Sequence, residues 1–251
     1  MTSTSLVGST GLVGSYILST LISHPSISSI HTLSPGATPQ PPPPNSTPSP
    51  PLTPQPGSNL LNTITPPPTL FFSSLGTTRA QAGSIEAQRK IDYDLNLALA
   101  TTFSQSPAPK KIYILISTSG ANPTSMIPYS RMKGELEDSV KALALGSENT
   151  NETQNTGLNH VIILRPGLIV GTRSDSRPPE FVMRKVAGLA GWINPGLKDF
   201  WAQDAEVIGR AAVNAGLRAL EGKDGENVVP RVWELGMADI VRLGRTEWKG
   251  E

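Results

Sequence analysis

Tyr129 and Lys133 stand four positions apart in a segment whose later apolar residues, Leu136, Val140 and Leu143, keep helical spacing. Four residues is close to one helical turn, so the phenol and the ammonium share a face. A free phenol ionises near pH 10 and is a poor base at neutral pH, but a neighbouring ammonium favours the phenolate and lowers that value. A tyrosine in that position can exchange the proton of an alcohol or ketone while a nicotinamide exchanges the hydride. Ten residues before Tyr129 lies a cluster of hydroxyls, Ser117-Thr118-Ser119. Thr118 or Ser119 is the candidate for polarising a carbonyl there, and Ser117 is a third hydroxyl of the same cluster.

These groups need a scaffold that brings them to a cofactor. Leu6-Val7 leads into Gly8-Ser9-Thr10-Gly11-Leu12-Val13-Gly14, and Val13, Ile17, Leu18, Leu21 and Ile22 follow at helical spacing. A strand, a tight turn and a helix are predicted. Glycines at this spacing permit the turn, let backbone approach a pyrophosphate and let helix pack on strand, with the anion over the helix N-terminus. Gly8 through Gly14 are therefore the predicted pyrophosphate cradle.

Further strands are expected over Ile27 to Leu33, Thr69 to Leu75, Ile112 to Ile116 and Val161 to Leu164, with a last one within Val228 to Leu235. Between them, helices are predicted from Ile85 to Thr102, with Ile91, Leu95, Ala98 and Leu99 facing inward, from Tyr129 onward, and from Ala205 to Leu220. Met237 to Leu243 reads as a short closing helix. Ile112-Tyr113-Ile114-Leu115-Ile116 is continuously apolar, as a central parallel strand buried on both faces is. Alternating strands and helices make this an α/β chain, a Rossmann-like doubly wound parallel sheet. In such sheets ligands bind at the carboxyl ends of the strands. That is where Leu75-Gly76-Thr77, the hydroxyl cluster and Pro166-Gly167 fall, the last able to turn backbone over a nicotinamide.

The 251 residues suffice for one large domain, 1–251, with two departures from regular structure. Residues 35–68 hold 14 of the 24 prolines and no charge, and they read as an extended or disordered insertion unable to form helix or ladder. Pro41 to Pro44 also fit a polyproline II ligand. Residues 172–204 read as the substrate-side portion, with an amphipathic stretch from Phe181 to Trp192 and large apolar residues up to Trp201. The net charge of +1 shows no basic cluster for nucleic acid, and zero cysteines exclude disulfides and thiolate metal sites. His24, His31 and His160 lack ligand spacing, so no metal is expected. No charged residue precedes Arg79, which leaves neither the basic n-region of a secretory signal nor an arginine-rich presequence, and no apolar run reaches the roughly 18–20 residues of a bilayer span. The end of the second strand, Ser34-Pro35-Gly36, offers neither the acid that reads an NAD ribose nor an arginine for an NADP phosphate.

Taken together, Gly8 to Gly14, Leu75-Gly76-Thr77-Thr78-Arg79, Ile116-Ser117-Thr118-Ser119-Gly120, Tyr129 through Lys133-Gly134-Glu135, Leu164-Arg165-Pro166-Gly167 and Ser176-Arg177-Pro178 resemble the atypical short-chain dehydrogenase/reductases of the Tat-interacting oxidoreductase-like group, and among them its fungal mitochondrial outer-membrane members. The resemblance implies a nicotinamide cofactor, NADP with NAD not excluded, and an unknown small-molecule substrate. It also implies peripheral attachment to the cytosolic face of the mitochondrial outer membrane. The arginine that many members carry after the second strand is replaced here by Ser34-Pro35, and Arg79 is the cation that could stand in for it. Two functions follow from these residues: a reductase or dehydrogenase using Tyr129 and Lys133, or a nucleotide-binding regulatory or adaptor protein.

Overall fold

A computed structural model describes residues 2–33, 64–146, 157–171 and 202–250, and the backbone of 46–48. Strands β1 (Thr2–Val7), β2 (Ile27–Leu33), β3 (Ser46–Pro48), β4 (Leu70–Ser73), β5 (Ile112–Ile116) and β6 (His160–Leu164) join one parallel sheet. Two short strands outside it, β7 (Leu168–Val170) and β8 (Ala202–Asp204), pair with each other in parallel. An antiparallel pair, β9 (Lys223–Asp224) and β10 (Asn227–Val228), precedes β11 (Val232–Leu235), which closes the main sheet beside β6. The spatial order is β11-β6-β5-β4-β1-β2-β3. From β1 the chain moves outward to β2 and then crosses back to β4 on the other side. The carboxyl ends of β1 and β4 are thus a topological switch point, where such sheets open a crevice.

Helix α1 (Leu12–Ser23) follows β1, and a short turn of helix, α2 (Arg79–Ala82), follows β4. The next helix is built in three pieces: α3 (Ile85–Arg89), a π-helical turn (Lys90–Leu95) and α4 (Asn96–Ser104). Helix α5 (Pro128–Leu145) carries the tyrosine and lysine; α6 (Ala205–Glu221) and α7 (Met237–Val241), the latter continuing as a π-helical turn to Thr246, complete the chain.

Alternation along β5 sends Ile112, Ile114 and Ile116 to one face, with α1 and α6, and Tyr113 and Leu115 to the other, with α4 and α5. All five are buried, which accounts for the uninterrupted apolar run. The small residues of α6 serve close packing. A side chain on Gly209 would come within 3.0 Å of Tyr16 and Ile17 on α1.

Two expectations are corrected. Ser46–Pro48 pairs with Ile30, His31 and Thr32, so part of the proline-rich segment does join the ladder. It does so at the sheet edge, the position that tolerates proline because one side of the strand needs no partner. The rest of 35–63 lies outside the described residues, as does the amphipathic stretch Phe181 to Trp192. In the helix after β4, Ile91 and Ala98 are exposed, whereas Gln88, Asp92, Asn96, Leu99, Ala100 and Phe103 are buried. The π-helical turn holds an extra residue in its loop of hydrogen bonds and rotates the inner stripe. What faces the sheet near its carboxyl edge is therefore polar.

Backbone is packed very closely at the glycine turn. Gly8 has φ +81°, a left-handed conformation, and a Cβ on Gly14 would lie 2.0 Å from the Gly8 carbonyl oxygen and 2.5 Å from Ser74 Oγ. Gly14→Ala is expected to cost at least ~1–3 kcal/mol, because backbone rather than a flexible side chain must yield. Gly11→Ala, whose Cβ would meet only the Gly8 oxygen at 3.2 Å, is expected to cost clearly less. Urea denaturation of the two variants compares them directly, and equal losses would contradict this account of the turn.

Candidate functional site

A cleft of about 420 Å³ opens at the carboxyl edge of the sheet, over the switch point. Its floor is the turn Gly8–Val13, its sides are Leu33 from β2, Ser74–Thr77 after β4 and Ile116–Ser117 after β5, and Tyr129, Lys133, Gln81 and Ile169 complete it. Four strands that end at one level deliver four short loops to one place. That convergence follows from the parallel register.

The turn is held by backbone. The Gly11 N–H donates to the Gly8 carbonyl at 2.9 Å, and Ser74 Oγ donates to the Val7 and Gly8 carbonyls at 2.9 and 3.2 Å. No side chain caps the start of α1, so the amides of its first turn are not taken up by a capping group. Lys133 is the one charged side chain among the described residues that line the cleft. Uncapped amides at a helix start, a glycine turn where a Cβ would clash, and no carboxylate on the walls together fit the pyrophosphate of a dinucleotide.

The loop after β4 is fixed from behind. Thr77 N–H donates to Asp92 Oδ2 at 2.8 Å, and Gln88 Nε2 donates to the Thr77 carbonyl at 2.8 Å. Thr78 caps α2, its hydroxyl accepting from the Gln81 amide at 3.3 Å. One turn along the helix, Asn96 accepts from Ser73 Oγ and donates to the carbonyls of Ile91 and Asp92 at 3.2 and 3.1 Å. The polar inner stripe of this helix thus satisfies the ends of β4 and the loop that follows.

Tyr129, Lys133 and Glu137 lie on one face of α5. Lys133 is only 2 % exposed, and its Nζ lies 3.8 Å from Asp92 Oδ1. Burial pulls the Lys133 ammonium below its usual range, and the carboxylates of Asp92 and Glu137 pull it back. Asp92 is pushed up by burial against the opposing effects of Lys133 and the Thr77 amide. The Tyr129 phenol is pushed up to about 12, first by loss of hydration and second by the Asp92 carboxylate. A phenol lowered by Lys133, the expectation from spacing, is therefore not what this geometry gives: the ammonium is engaged by a carboxylate that acts on Tyr129 with the opposite sign.

The hydroxyl in the cleft is Ser117, which is 5 % exposed, whereas Thr118 is half-buried outside the lining and Ser119 is exposed. Ser117 Oγ donates to Glu137 Oε1 at 2.5 Å. Glu137, 1 % exposed, is held by Arg165 through Nε at 3.2 and 3.1 Å and Nη2 at 2.5 Å, and Arg165 Nη1 reaches Glu234 at 2.8 Å. The hydrogen bond to Glu137, with the charges of Glu137 and Glu234, holds the Arg165 guanidinium above its usual range against the opposing effect of burial.

Of the other sequence-predicted residues, Gly8, Ser9, Thr10, Gly11, Leu12, Val13, Leu75, Gly76 and Thr77 line the cleft. Gly14 lies one step behind it, packed on Gly8. Pro166 and Gly167 sit beside rather than in it, the Pro166 carbonyl accepting from the Ser119 amide at 2.8 Å and the Gly167 amide donating to Gln203 Oε1 at 2.7 Å. Arg79 is exposed at the start of α2 and does not line the cleft. Sequence reasoning missed Ser74, Gln81, Gln88, Asp92 and Glu137. Glu137 was within reach, one turn beyond Lys133 on the same face; Asp92 carried no local signal. Glu137→Ala is expected to cost ~3 kcal/mol in urea denaturation by stranding Arg165 and the Ser117 donor. Lys141→Ala, which breaks a pair with the 38 % exposed Glu234, is expected to cost under about 1 kcal/mol. A Glu137 loss no larger than the Lys141 loss would contradict the ranking.

Comparison with known proteins agrees with this architecture. Among solved structures, the Bordetella bronchiseptica enzyme WbmF in complex with NADH superposes with a TM-score of 0.60 at 15% identity, covering 94% of this chain and 71% of that one. UDP-glucuronic acid 4-epimerase from Bacillus cereus in complex with NAD gives 0.56 at 14%, covering 93% and 76%. At that identity the likeness is one of fold. Sequence relatives are nearer: the protein fmp52-1, mitochondrial, of Aspergillus terreus is 47% identical over 98% of this chain and 100% of its own, and fmp-52, mitochondrial, of Neurospora crassa 42% over 99% and 97%. The HIM1 family model matches residues 58–193, which take in the loop after β4, the tyrosine and lysine, and Arg165-Pro166-Gly167. With more than half its length in that match and near-complete coverage by such relatives, the chain belongs to the HIM1 family, alongside the fmp52 proteins of Aspergillus and Neurospora.

Proposed function

We propose that the protein is an NADP(H)-dependent reductase or dehydrogenase of the short-chain type, acting on the carbonyl or alcohol of a small molecule. One observation carries the reading: Tyr129, Lys133 and Ser117 converge on the same cleft as the glycine turn, at the switch point of the sheet. The dinucleotide would supply or accept hydride. The amides of Gly8–Val13 hold its pyrophosphate, and Lys133 holds the ribose on the nicotinamide side. Tyr129 gives its proton to the carbonyl oxygen, or takes one from an alcohol in the reverse direction. Ser117, its own proton committed to Glu137, offers lone pairs to a hydroxyl or amide in the cleft.

The preference for NADP rests on the absence of a carboxylate from the described cleft lining, since an acid there would repel a 2′-phosphate, and on the exposed Arg79, two residues past the lining residue Thr77. Residues 172–204 form the substrate side in this reading. It is supported where that segment is described, by Gln203 accepting from the Gly167 amide. In the same reading the chain is one domain, with the proline-rich stretch an insertion between β2 and β4 in sequence. Relatives are named mitochondrial, and we further propose peripheral attachment at the cytosolic face of the mitochondrial outer membrane, which the family resemblance implies. No helix among the described residues is long and apolar enough to cross a membrane.

Fluorescence titration with NADPH and NADH tests the shared premise, and the expected result is tighter binding of NADPH. Arg79→Ala should weaken NADPH ~10-fold or more and leave NADH unchanged, because a charge-assisted contact to phosphate is worth ~1.5–3 kcal/mol. Equal loss for both dinucleotides would remove Arg79 from the assignment. Against a panel of aldehydes and ketones, Tyr129→Phe is expected to lower turnover ~10²–10⁴-fold. Undiminished turnover would remove the proposed acid. Carbonate extraction of intact mitochondria releases a peripheral protein and retains an integral one.

A further inference from the structure

One buried group beside the cleft has no part in the chemistry above. Asp92 is fully buried in the π-helical turn; its Oδ2 accepts the Thr77 amide, while Oδ1 lies 3.8 Å from Lys133 Nζ and accepts no hydrogen bond. Gly76 closes the other side, where an added Cβ would stand 3.5 Å from that oxygen. A fully buried carboxylate with one oxygen unpartnered is costly unless a charge nearby repays it. The charge it meets is that of Lys133.

The surroundings of Tyr129 make the sign of the effect plain. On its own helix the inward charges are Lys133 and, a further turn on, Glu137. Glu137 is committed to Arg165 and Ser117. Arg131 and Glu135 are paired with each other at 3.9 Å, and Glu135 with Arg89 at 2.6 Å. The glycine turn, the end of β5 and Ile169 of β7 bring no charge to the cleft. From the helix packed against α5, the group that reaches this place is Asp92. Among the described residues it is the carboxylate set against the Tyr129–Lys133 pair.

We infer that Asp92 is a positioning residue that offsets the Lys133 ammonium, keeps Tyr129 a proton donor, and through Thr77 ties that state to the loop on the cofactor's side of the cleft. This deepens the reductase reading and rests on it. The raised phenol is in keeping with it, burial contributing first and Asp92 second. At neutral pH the phenol is then held in the protonated form that carbonyl reduction uses. The carbonyl carbon receives hydride from the reduced dinucleotide, which leaves oxidised. The carbonyl oxygen takes the Tyr129 proton to become a hydroxyl, and the phenolate oxygen regains a proton from solvent, Tyr129 being 40 % exposed. Alcohol oxidation would need the phenolate first, which the Asp92 charge disfavours.

The test uses neither dinucleotide nor substrate, so its failure is separate from failure of the reductase reading. The full-length protein is labelled with ¹³C at tyrosine Cζ, the Tyr129 signal is assigned by its loss in Tyr129→Phe, and its ionisation is followed by NMR as pH rises. In the wild type Tyr129 is expected to ionise well above a tyrosine peptide. In Asp92→Asn, which keeps an acceptor for the Thr77 amide and removes the charge, the ionisation constant is expected to rise at least tenfold. An unchanged Tyr129 midpoint in folded Asp92→Asn overturns the inference. So does a wild-type midpoint at or below that of the peptide, a result available even if the variant does not fold. Lys133→Met leaves the Asp92 charge without its partner, and the Tyr129 midpoint is expected to stay high or climb; a fall there would equally overturn the inference.

Discussion

An ammonium buried to 2 % exposure at the edge of a hydrophobic sheet needs a counter-charge, and the pairing of Lys133 with Asp92 is the constraint around which this edge of the protein is organised. Taking either ion out of water costs several kcal/mol, and their attraction repays that only when the remaining donors and acceptors are used. Here the Thr77 amide uses one Asp92 oxygen. Asp92 must come from an element packed against α5, and the helix after β4 is in position to supply it. It does so through a π-helical turn that rotates Gln88, Asp92 and Asn96 inward at the cost of apolar positions such as Ile91. The same three residues fix the loop after β4, so the charge beside the tyrosine and the wall of the cleft are parts of one hydrogen-bonded unit.

A second buried carboxylate repeats the arrangement deeper along α5. Glu137 accepts from Ser117 and is held by Arg165, which itself reaches Glu234 on β11. The effect is to lock the hydroxyl in the cleft into one orientation and to join β5, β6, β11 and α5 at the level where their strands end. Neither network is an economical route to stability, since well-packed apolar groups would do as well. Their value lies in fixing where a proton, an ammonium and a hydroxyl stand relative to one another. That is preorganisation: dipoles and charges set in place by the fold and held in a partly dry site.

The glycine turn is the opposite kind of constraint, one of volume. Gly14 against the Gly8 carbonyl and Gly8 against Ser74 leave no room for a Cβ, which brings the backbone close enough to the cleft floor for its amides to serve as donors. Ser74 couples this turn to β4 through two carbonyls. The two constraints meet across the cleft, volume on the glycine side and charge on the tyrosine side, and the switch point of the sheet is what sets them opposite one another.

Much of this was legible in the residues alone. Local periodicity determined the strands and helices, because a strand buried on both faces must be apolar throughout and a helix on one face must repeat near every fourth residue. Glycine spacing located the turn, and a four-residue separation put Tyr129 and Lys133 on one face. What those signals share is that each is set by near neighbours in the chain. The identity of the cleft hydroxyl, Ser117 rather than Ser119, depended on which residue of the strand end points inward. The ladder at Ser46–Pro48 depended on an edge being free, and the inward turn of Asp92 on a bend in the helix. Above all, the charge felt by Tyr129 comes from a carboxylate 37 positions away in sequence that only packing brings near. Electrostatics inside a protein is settled by three-dimensional neighbours and by exclusion of water, and neither is written in the local pattern.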